Sequence, residues 1–411
     1  FFSYHCKNNH LFKSMQKFFL ILFSFVLIYC EAEAQGKSKT VVLRAEDAIA
    51  GASRMELYIS ELENKNVAVV ANQTSIFNNR HLVDTLLSRN VNIIKIFTPE
   101  HGFRGTEDEG AIIGNGIDEK TQLPIISLYG KNKKPNQEQL KDIDIVLFDL
   151  QDVGTRFYTY ISTLTYVMEA AAENEIPVIV LDRPNPNGFY VDGPVLQAEN
   201  TSFVGLHQVP VVYGLTIGEY AMMVNGEYWL KDSLRCDLSV IPLGNYMRNA
   251  IYELPVKPSP NLPNWESIYL YPSLCLFEGT VVSVGRGTEF PFQVYGHPSL
   301  KEAYTFTPRQ SDGRKEPLLC NMECHGEYLL EYAHNHKKNE KGINLHWLIN
   351  AYNQLKNNEK FFNNFFIKLA GTNKLRKQIE SGLTEEEIRD SWKEDLDNYK
   401  EIRSKYLLYK D

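Results

Sequence analysis

Two stretches of the chain place ionisable side chains directly after a run of apolar residues. The first is Thr98-Pro99-Glu100-His101-Gly102-Phe103-Arg104-Gly105, which follows the mainly apolar residues 91–97. The second is Asp149-Leu150-Gln151-Asp152-Val153-Gly154-Thr155-Arg156, which follows the apolar residues 145–148. An apolar run that breaks into glycine, proline and ionisable residues predicts a buried strand with reactive groups at its carboxyl end. Carboxylates, an imidazole and guanidinium groups can exchange protons and bind anions, so these strand ends are the first candidates for a site.

The elements that must position these groups alternate between short apolar runs and helical periodicity. The predicted strands are 67–72, 91–98, 125–130, 144–150, 177–181 and 238–242. The predicted helices are 47–62, 80–89, 137–141, 160–174 and 216–230. Such alternation predicts an α/β fold, with a parallel sheet that is covered by helices on both faces.

In a sheet of this kind, ligands bind beyond the carboxyl ends of the strands. The residues at those ends are unusually rich in ionisable and aromatic side chains: Asn72, Gln73, Glu100, His101, Arg104, Tyr129, Asp149, Gln151, Asp152, Arg156, Asp182, Arg183, Asn185 and Tyr213. The sequence has neither the glycine-rich motif of dinucleotide-binding folds nor the phosphate loop of nucleoside triphosphatases. Nucleotide binding is therefore disfavoured, because the sequence lacks a loop that would hold the phosphate groups.

Length and composition indicate two domains and exclude one class of partner. The chain has 411 residues, of which 43% are hydrophobic, and this length favours two domains over one. Its net charge of −8 argues against a nucleic-acid-binding protein. Four prolines between residues 255 and 263 indicate either a linker or an extended wall segment. We therefore divide the chain into residues 1–34, 35–254 and 255–411.

Residues 1–34 have the features of an export signal. Met15-Gln16-Lys17 precedes a short apolar run that ends at Tyr29, and Ala32-Glu33-Ala34 follows it. A charged start, a short apolar core and small residues before a cleavage point predict a signal peptide that is removed before Gln35. The run is too short for a comfortable membrane span, so we expect a periplasmic or secreted protein without a transmembrane segment in the mature chain. Cys30 leaves a lipid-anchored form as an alternative, which the bulky Tyr29 disfavours.

Four ordered motifs together resemble the bacterial exo-β-N-acetylmuramidase family. They are Thr98–Gly105, Asp149–Tyr160, Leu181-Asp182-Arg183-Pro184-Asn185-Pro186 and Gly285-Arg286-Gly287-Thr288. The resemblance covers about residues 41–409. It implies a Rossmann-like domain followed by a smaller α/β domain, with the active-site cleft between them. It also implies an exported glycoside hydrolase, without a cofactor, that removes N-acetylmuramic acid (MurNAc) from the non-reducing ends of peptidoglycan fragments.

Hydrolysis of a glycosidic bond needs a proton donor and a second group. Glu100 is the predicted donor, because partial burial at the end of an apolar strand would keep it protonated; the alternative is a carboxylate bonded to local amides or to Arg104. The second group is either Glu278 or Asp152, since Asp149 lies inside the apolar run. The 2-acetamido group of the substrate could also act as the nucleophile, and the sequence does not separate these routes.

An arginine is the expected partner of the lactyl carboxylate of MurNAc, because a guanidinium group can bind a carboxylate through two hydrogen bonds. Arg156, Arg183 and Arg286 are the candidates, with an internal salt bridge as the alternative for each. Tyr158 and Tyr213 could stack on sugar faces, although burial in the core is the default for an aromatic residue. The remaining predicted substrate-binding residues are His101, Arg104, Gln151, Asp182 and Asn185.

Two other functions stay open from the sequence. A metal-dependent hydrolase could use the acidic and imidazole groups at the strand ends, but their spacing matches no ligand pattern. A non-catalytic envelope protein could bind muropeptides in the same cleft. In each case the expected partner is a peptidoglycan glycan of MurNAc and N-acetylglucosamine (GlcNAc).

Overall fold

The structure is a computed structural model that describes residues 42–43, 48–100, 102–104, 115–310, 316–336, 342–357 and 359–410. The chain from Val42 to Asp411 forms one compact unit. The predicted signal peptide lies outside the described residues, and so does His101. The division at residues 254 and 255 stays a prediction. None of the described helices is long and apolar enough to cross a membrane.

The described strands agree closely with the predicted ones in the amino-terminal part of the chain. In chain order they are β1 (Val42–Leu43), β2 (Val67–Ala71), β3 (Ile76–Phe77), β4 (Arg80–His81), β5 (Ile93–Thr98), β6 (Gly116–Ile117), β7 (Pro124–Ser127), β8 (Ile145–Asp149), β9 (Val178–Leu181), β10 (Leu238–Ile241), β11 (Ile251–Tyr252), β12 (Val294–His297), β13 (Tyr304–Phe306) and β14 (Cys324–Tyr328).

Seven of these strands form the central sheet, in the order β10-β9-β8-β2-β5-β7-β6. Every neighbouring pair is parallel except β6 with β7. The chain therefore starts in the middle at β2, runs outward to β7, and returns to β8 before it continues to the other edge. The connections after β2 and β8 leave in opposite directions, which opens a crevice between their carboxyl ends. The predicted parallel α/β sheet is confirmed.

Alternate residues of the central strands face two separate apolar layers. Val67, Val69 and Leu147 pack into one core cluster. Ala68 and Val70 pack into the other, larger cluster. All five residues of β2 are buried, as are all five of β8. Continuous apolar runs are what a parallel strand with both faces covered requires, and this is why the sequence signal for these strands was strong.

The α-helices cover both faces of the sheet and build most of the carboxyl-terminal part. They are Leu82–Ser88, Gln137–Leu140, Tyr160–Glu173, Ile217–Gly226, Trp265–Leu274, Leu330–His336, His346–Leu355, Phe365–Ala370, Lys374–Glu380, Glu385–Asp390 and Lys393–Ser404. Short 3-10 segments occur at Gly51–Ser53, Met55–Leu57, Ile59–Leu62, Ala198–Asn200, Lys231–Ser233 and Cys275–Gly279.

The predicted helix over residues 47–62 is wrong. The chain forms three short 3-10 segments there, and the backbone of Arg54 and Tyr58 between them departs from helical geometry. Tertiary hydrogen bonds explain the difference. The amide of Ile49 donates to the carbonyl of Gly244 at 2.8 Å, and the amide of Gly51 donates to that of Asp182 at 2.9 Å. These tertiary hydrogen bonds determine the backbone conformation here, and they override the helical periodicity of the apolar residues.

The carboxyl-terminal part combines helices with a small antiparallel sheet, in the order β12-β14-β13. The strand-like residues 281–292 do not form a strand; the segment makes a single bridge, from Ser283 to Gly296. Glycines at positive φ turn the chain back on itself, and the amide of Phe292 donates to the carbonyl of Val284 at 2.8 Å.

Arg156 lies in the loop after β8 and connects that loop to the carboxyl-terminal part of the chain. Its side chain is fully buried and donates to the carbonyl oxygens of Pro194 and Val209, each at 2.8 Å. It also donates to Leu369 at 2.9 Å and to Ala370 at 2.8 Å, which end the helix Phe365–Ala370. A helix carboxyl end carries unpaired carbonyls and partial negative charge, so it accommodates a guanidinium without a carboxylate partner.

Replacing Arg156 by methionine should therefore destabilise the fold strongly. The variant keeps a side chain of similar length but leaves buried carbonyls without donors, and we expect a loss of about 3 kcal/mol or more in the free energy of unfolding. Urea denaturation followed by circular dichroism measures this loss. Arg235→Met, at an exposed position, is the control. A loss below about 1 kcal/mol for Arg156→Met would contradict the structural role.

Candidate active site

Glu100 lies at the carboxyl end of β5, two residues after Thr98, and is half-buried. Its charge acts on five neighbouring groups, because it contributes to the pKa shifts of Tyr129, Tyr158, Tyr160, Glu278 and Arg286. These groups come from the loops after β7 and β8 and from the carboxyl-terminal part of the chain. Glu100 is therefore the centre of an electrostatic cluster that the fold assembles from distant segments.

Glu278 is the second carboxylate of this cluster. It lies on the 3-10 segment Cys275–Gly279, which directly continues the helix Trp265–Leu274. The Nε of Arg286 donates to its Oε1 at 2.7 Å, and the thiol of Cys275 contacts its Oε2 at 3.4 Å. Burial, followed by the charge of Glu100, raises the pKa of Glu278 to about 7. The guanidinium of Arg286 acts in the opposite direction, since it favours the charged carboxylate.

Three tyrosines line the cluster. Burial, together with the charge of the neighbouring Glu100, raises the pKa of Tyr129. The rings of Tyr158 and Tyr160 meet edge to face, with centroids 4.8 Å apart. Asn72, directly after β2, donates to the hydroxyl of Tyr160 at 2.7 Å. All three phenols stay protonated at neutral pH, so they can donate hydrogen bonds without adding charge.

Asp152 lies behind these tyrosines and is buried. Its Oδ2 accepts from the amide of Gly154 at 2.6 Å and from the hydroxyl of Tyr213. Its Oδ1 is buried without a hydrogen-bond partner among the described residues. Burial raises the pKa of Asp152 to about 7, although the bonds from Tyr213 and Gly154 lower it. The charge of Asp152 also acts on Tyr158 and Tyr160, so this carboxyl borders the Glu100 cluster.

The loops after β2 and β8 fix the floor of the site by bonding to each other. The hydroxyl of Ser75 donates to the carbonyl of Asp149 at 2.5 Å. The amide of Gln151 donates to the hydroxyl of Thr74 at 3.1 Å. Pro258 closes one side, because its carbonyl accepts from the hydroxyl of Tyr158 at 2.8 Å. The proline-rich segment is thus a packed wall at this point, one of the two alternatives that the composition allowed.

Two of the predicted arginines are occupied by internal ion pairs. Arg183 binds the buried carboxylate of Asp149 through two hydrogen bonds, of 2.6 and 2.8 Å. Arg104 binds Asp118 at 2.7 Å and Asp84 at 3.1 Å. For Arg183 this is the internal salt bridge that the sequence left open. Arg156, described above, bonds to backbone carbonyls instead.

Other predicted substrate-binding residues hold the loops together. Gln151 donates to the carbonyls of Asp152 and Pro184, at 2.8 and 2.7 Å. Asn185 donates to the carbonyl of Leu215 at 2.7 Å. Asp182 accepts from Thr216, Gly218 and Tyr409 at distances of 2.6 to 2.8 Å. These contacts place the three side chains in the scaffold of the site.

The fold thus brings together the predicted residues Glu100, Glu278, Arg286 and Tyr158, with Asp152 and Tyr213 behind them. Such an arrangement can hold two carboxyl groups, a guanidinium and neutral phenols against one ligand, as acid–base hydrolysis of a glycoside requires. The described residues contain no group of three or more histidine, cysteine or acidic side chains that could hold a metal ion.

Comparison with known proteins agrees with this geometry. The N-terminal domain of the exo-β-N-acetylmuramidase NamZ family matches residues 67–266, and its C-terminal domain matches residues 269–409. The chain is 39% identical over 379 residues to the peptidoglycan β-N-acetylmuramidase NamZ of Bacillus subtilis, an alignment that covers 86% of this chain and 89% of that protein.

The chain belongs to the NamZ exo-β-N-acetylmuramidase family.

Two solved structures from Bacteroides fragilis, both described as DUF1343 family proteins, share the fold. One has a TM-score of 0.83 at 48% identity, and the other has a TM-score of 0.75 at 28% identity. Each comparison covers 89% of this chain and 99% of the other. The predicted resemblance to the NamZ family is confirmed, and so are the predicted fold class and the prediction of a glycosidase.

Four residues that contribute to this cluster were not among the predicted site residues. Asn72 and Tyr129 follow strands directly and were in the strand-end set, so their position was a usable signal. Tyr160 begins the helix Tyr160–Glu173, and an aromatic residue there is not distinguishable from core by sequence. Cys275 precedes Glu278 by three residues, which is one turn of helix, and helical spacing would have paired them.

The buried carboxyl of Asp152 should make stability depend on pH. Between its unfolded pKa of about 4 and its folded pKa of about 7, the folded state holds a proton that the unfolded state has lost. Stability from this group is therefore present at low pH and lost as pH rises through 7. Asp152→Asn removes this titration, so its free energy of unfolding relative to the parent should increase by about 2 kcal/mol from pH 5 to pH 8.

Urea denaturation at the two pH values measures this difference. Asp390→Asn, at an exposed position, is the matched control and should give no such change. A constant difference between Asp152→Asn and the parent across this range would show that Asp152 is ionised in the folded state at pH 5.

Proposed function

We propose that the chain is an exported glycoside hydrolase that releases MurNAc from the non-reducing ends of peptidoglycan fragments, in cell-wall turnover or recycling. Membership of the NamZ family and the activity named for the B. subtilis relative support this substrate. The observation that carries the proposal is the proximity of Glu100 to Glu278, whose pKa the Glu100 charge helps to raise, together with the bond from Arg286 to Glu278. Export rests on the sequence of residues 1–34, and cell fractionation with and without these residues tests it.

Glu100 is the proposed proton donor to the glycosidic oxygen. With its pKa near 7, Glu278 can exchange its proton at neutral pH. The bond from Arg286 favours the charged form of Glu278. In that form Glu278 cannot donate a proton, so we assign to Glu100 the delivery of a proton as the bond to the leaving sugar breaks. Tyr129 lies beside Glu100.

Glu278 is the proposed second group, and its negative charge stabilises the positive charge that develops on the sugar. It can act on the sugar, on a water molecule or on the 2-acetamido group of MurNAc. Asp152 is a second-choice candidate, because it lies behind Tyr213 and is buried. Of the three arginines predicted for the lactyl carboxylate, Arg286 is the one that lies at the carboxylate pair. We assign it both roles: it keeps Glu278 charged, and its charge attracts the anionic sugar.

Removing either carboxylate should abolish MurNAc release. Glu100→Gln and Glu278→Gln keep the shape of the side chain but cannot transfer a proton or carry the charge, so we expect losses of about 100-fold to 10,000-fold in kcat. The assay incubates the chain with a MurNAc–GlcNAc disaccharide and measures free MurNAc by mass spectrometry. Glu289→Gln, an exposed glutamate in the same segment as Arg286, is the control. Near-parental turnover by Glu100→Gln would refute its assignment as the acid.

Arg286 should set the pH at which the enzyme becomes active. Because the charged form of Glu278 is the working form, kcat/KM should rise as pH increases through about 7. Arg286→Ala removes the cation that favours this charge, so the rise should move to higher pH. Arg286→Lys retains the cation and should move it less. An unchanged pH profile in Arg286→Ala would show that the contact with Glu278 does not tune the reaction.

A further inference from the structure

A cavity of about 590 Å³ lies apart from the catalytic cluster. It is bounded by the segment 195–208, by Trp229, and by the helix Lys393–Ser404. None of its lining residues belongs to the site around Glu100. Its volume lies within the range of about 300–1,000 Å³ that is typical of small-molecule sites. Nothing in the reaction proposed above uses it.

Aromatic rings form the inner part of this cavity. The ring of Trp229 stands edge to face against His207, with centroids 5.4 Å apart, and His207 stacks on Tyr220 at 6.1 Å. Tyr399 is buried, and its hydroxyl is anchored to the carbonyl of Tyr213 at 2.7 Å. His207 is also buried, and its Nδ1 has no hydrogen-bond partner among the described residues. The walls are therefore fixed before any ligand binds, which lowers the entropic cost of binding.

The rim is polar: Gln208, Asp395 and Asn398 are exposed and offer amide and carboxylate groups. Among the residues that the structure describes, neither lysine nor arginine lines the cavity. Burial lowers the pKa of His207 to about 4, so this ring is neutral at physiological pH. A phosphate or carboxylate ligand would meet the charge of Asp395 without a compensating cation, and this disfavours an anionic ligand.

We propose that this cavity is a second saccharide site, which binds a neutral N-acetylhexosamine. The apolar C–H face of a pyranose can pack on Trp229, and its hydroxyl and acetamido groups can bond to Gln208, Asp395 and Asn398. Of the two sugars of peptidoglycan, GlcNAc is neutral and MurNAc carries a lactyl carboxylate, so the cavity should prefer GlcNAc. The choice of GlcNAc rests on the proposed function; the existence of the site does not.

Titration calorimetry of the full chain with GlcNAc tests the proposal. Parent and Glu100→Gln protein should both show saturable binding, with a Kd in the millimolar range that is usual for one small sugar. Trp229→Ala and Asn398→Ala should each weaken it at least fivefold, whereas Asn353→Ala, on an exposed helical surface elsewhere, should not. MurNAc, titrated into Glu100→Gln that also carries Arg286→Ala, should bind at least fivefold more weakly than GlcNAc.

Hydrolysis assays on the same variants separate this proposal from the function proposed above. Trp229→Ala and Asn398→Ala should release MurNAc at the parental rate from the disaccharide, because neither residue touches the catalytic cluster. Loss of GlcNAc binding in Arg286→Ala but not in Trp229→Ala would place the sugar at the catalytic cluster and overturn the proposal, as would the absence of saturable binding. Absence of hydrolysis alongside Trp229-dependent binding would refute the proposed function and leave the second site standing.

Discussion

The site depends on the point at which the parallel sheet reverses direction. Because the chain leaves β2 toward one edge and β8 toward the other, a crevice opens between the carboxyl ends of these two strands, and polar groups there satisfy one another. The bonds from Ser75 to Asp149 and from Gln151 to Thr74 do so across the crevice. These bonds cross-link the floor of the site, next to the tyrosines that lie beside Glu100. The ion pair of Arg183 with Asp149 lies directly beneath it.

Two different parts of the chain must meet for the carboxylate pair to exist. Glu100 ends a strand of the central sheet, and Glu278 follows a helix some 180 positions later. Burial and the nearby charge of Glu100 favour the neutral form of Glu278, and its pKa of about 7 lets it change charge near neutral pH. The hydrogen bond from Arg286 favours the charged form. Cys275 adds a weak donor from the same helical turn.

Sequence patterns predicted the positions of strands best where both faces of the strand are buried. The apolar runs of β2, β8 and β9 are buried on both faces and, like the mostly buried β5, were located to within about two residues. Residues 47–62 were mispredicted, because backbone bonds to residues far along the chain decide their conformation. Glu278 was one of two candidates for the partner of Glu100, and its bond from Arg286 is the internal salt bridge that the sequence had left as an alternative for this arginine. The contacts of Arg156 to carbonyls were not predictable either, because a carbonyl acceptor has no side-chain signature.

The carbonyl groups that bind Arg156 also affect the order in which the protein can fold. The carbonyls that Arg156 binds at Leu369 and Ala370 lie 213 and 214 positions later in the chain, and Asp182 accepts from Tyr409, 227 positions later. A ribosome releases the central sheet long before it releases these partners. Until then the guanidinium of Arg156 stays hydrated, and the loop after β8 has not reached its folded conformation. The active-site loops are thus completed by segments that lie more than 200 positions later in the chain, so a chain that is made only as far as the central sheet has no finished site.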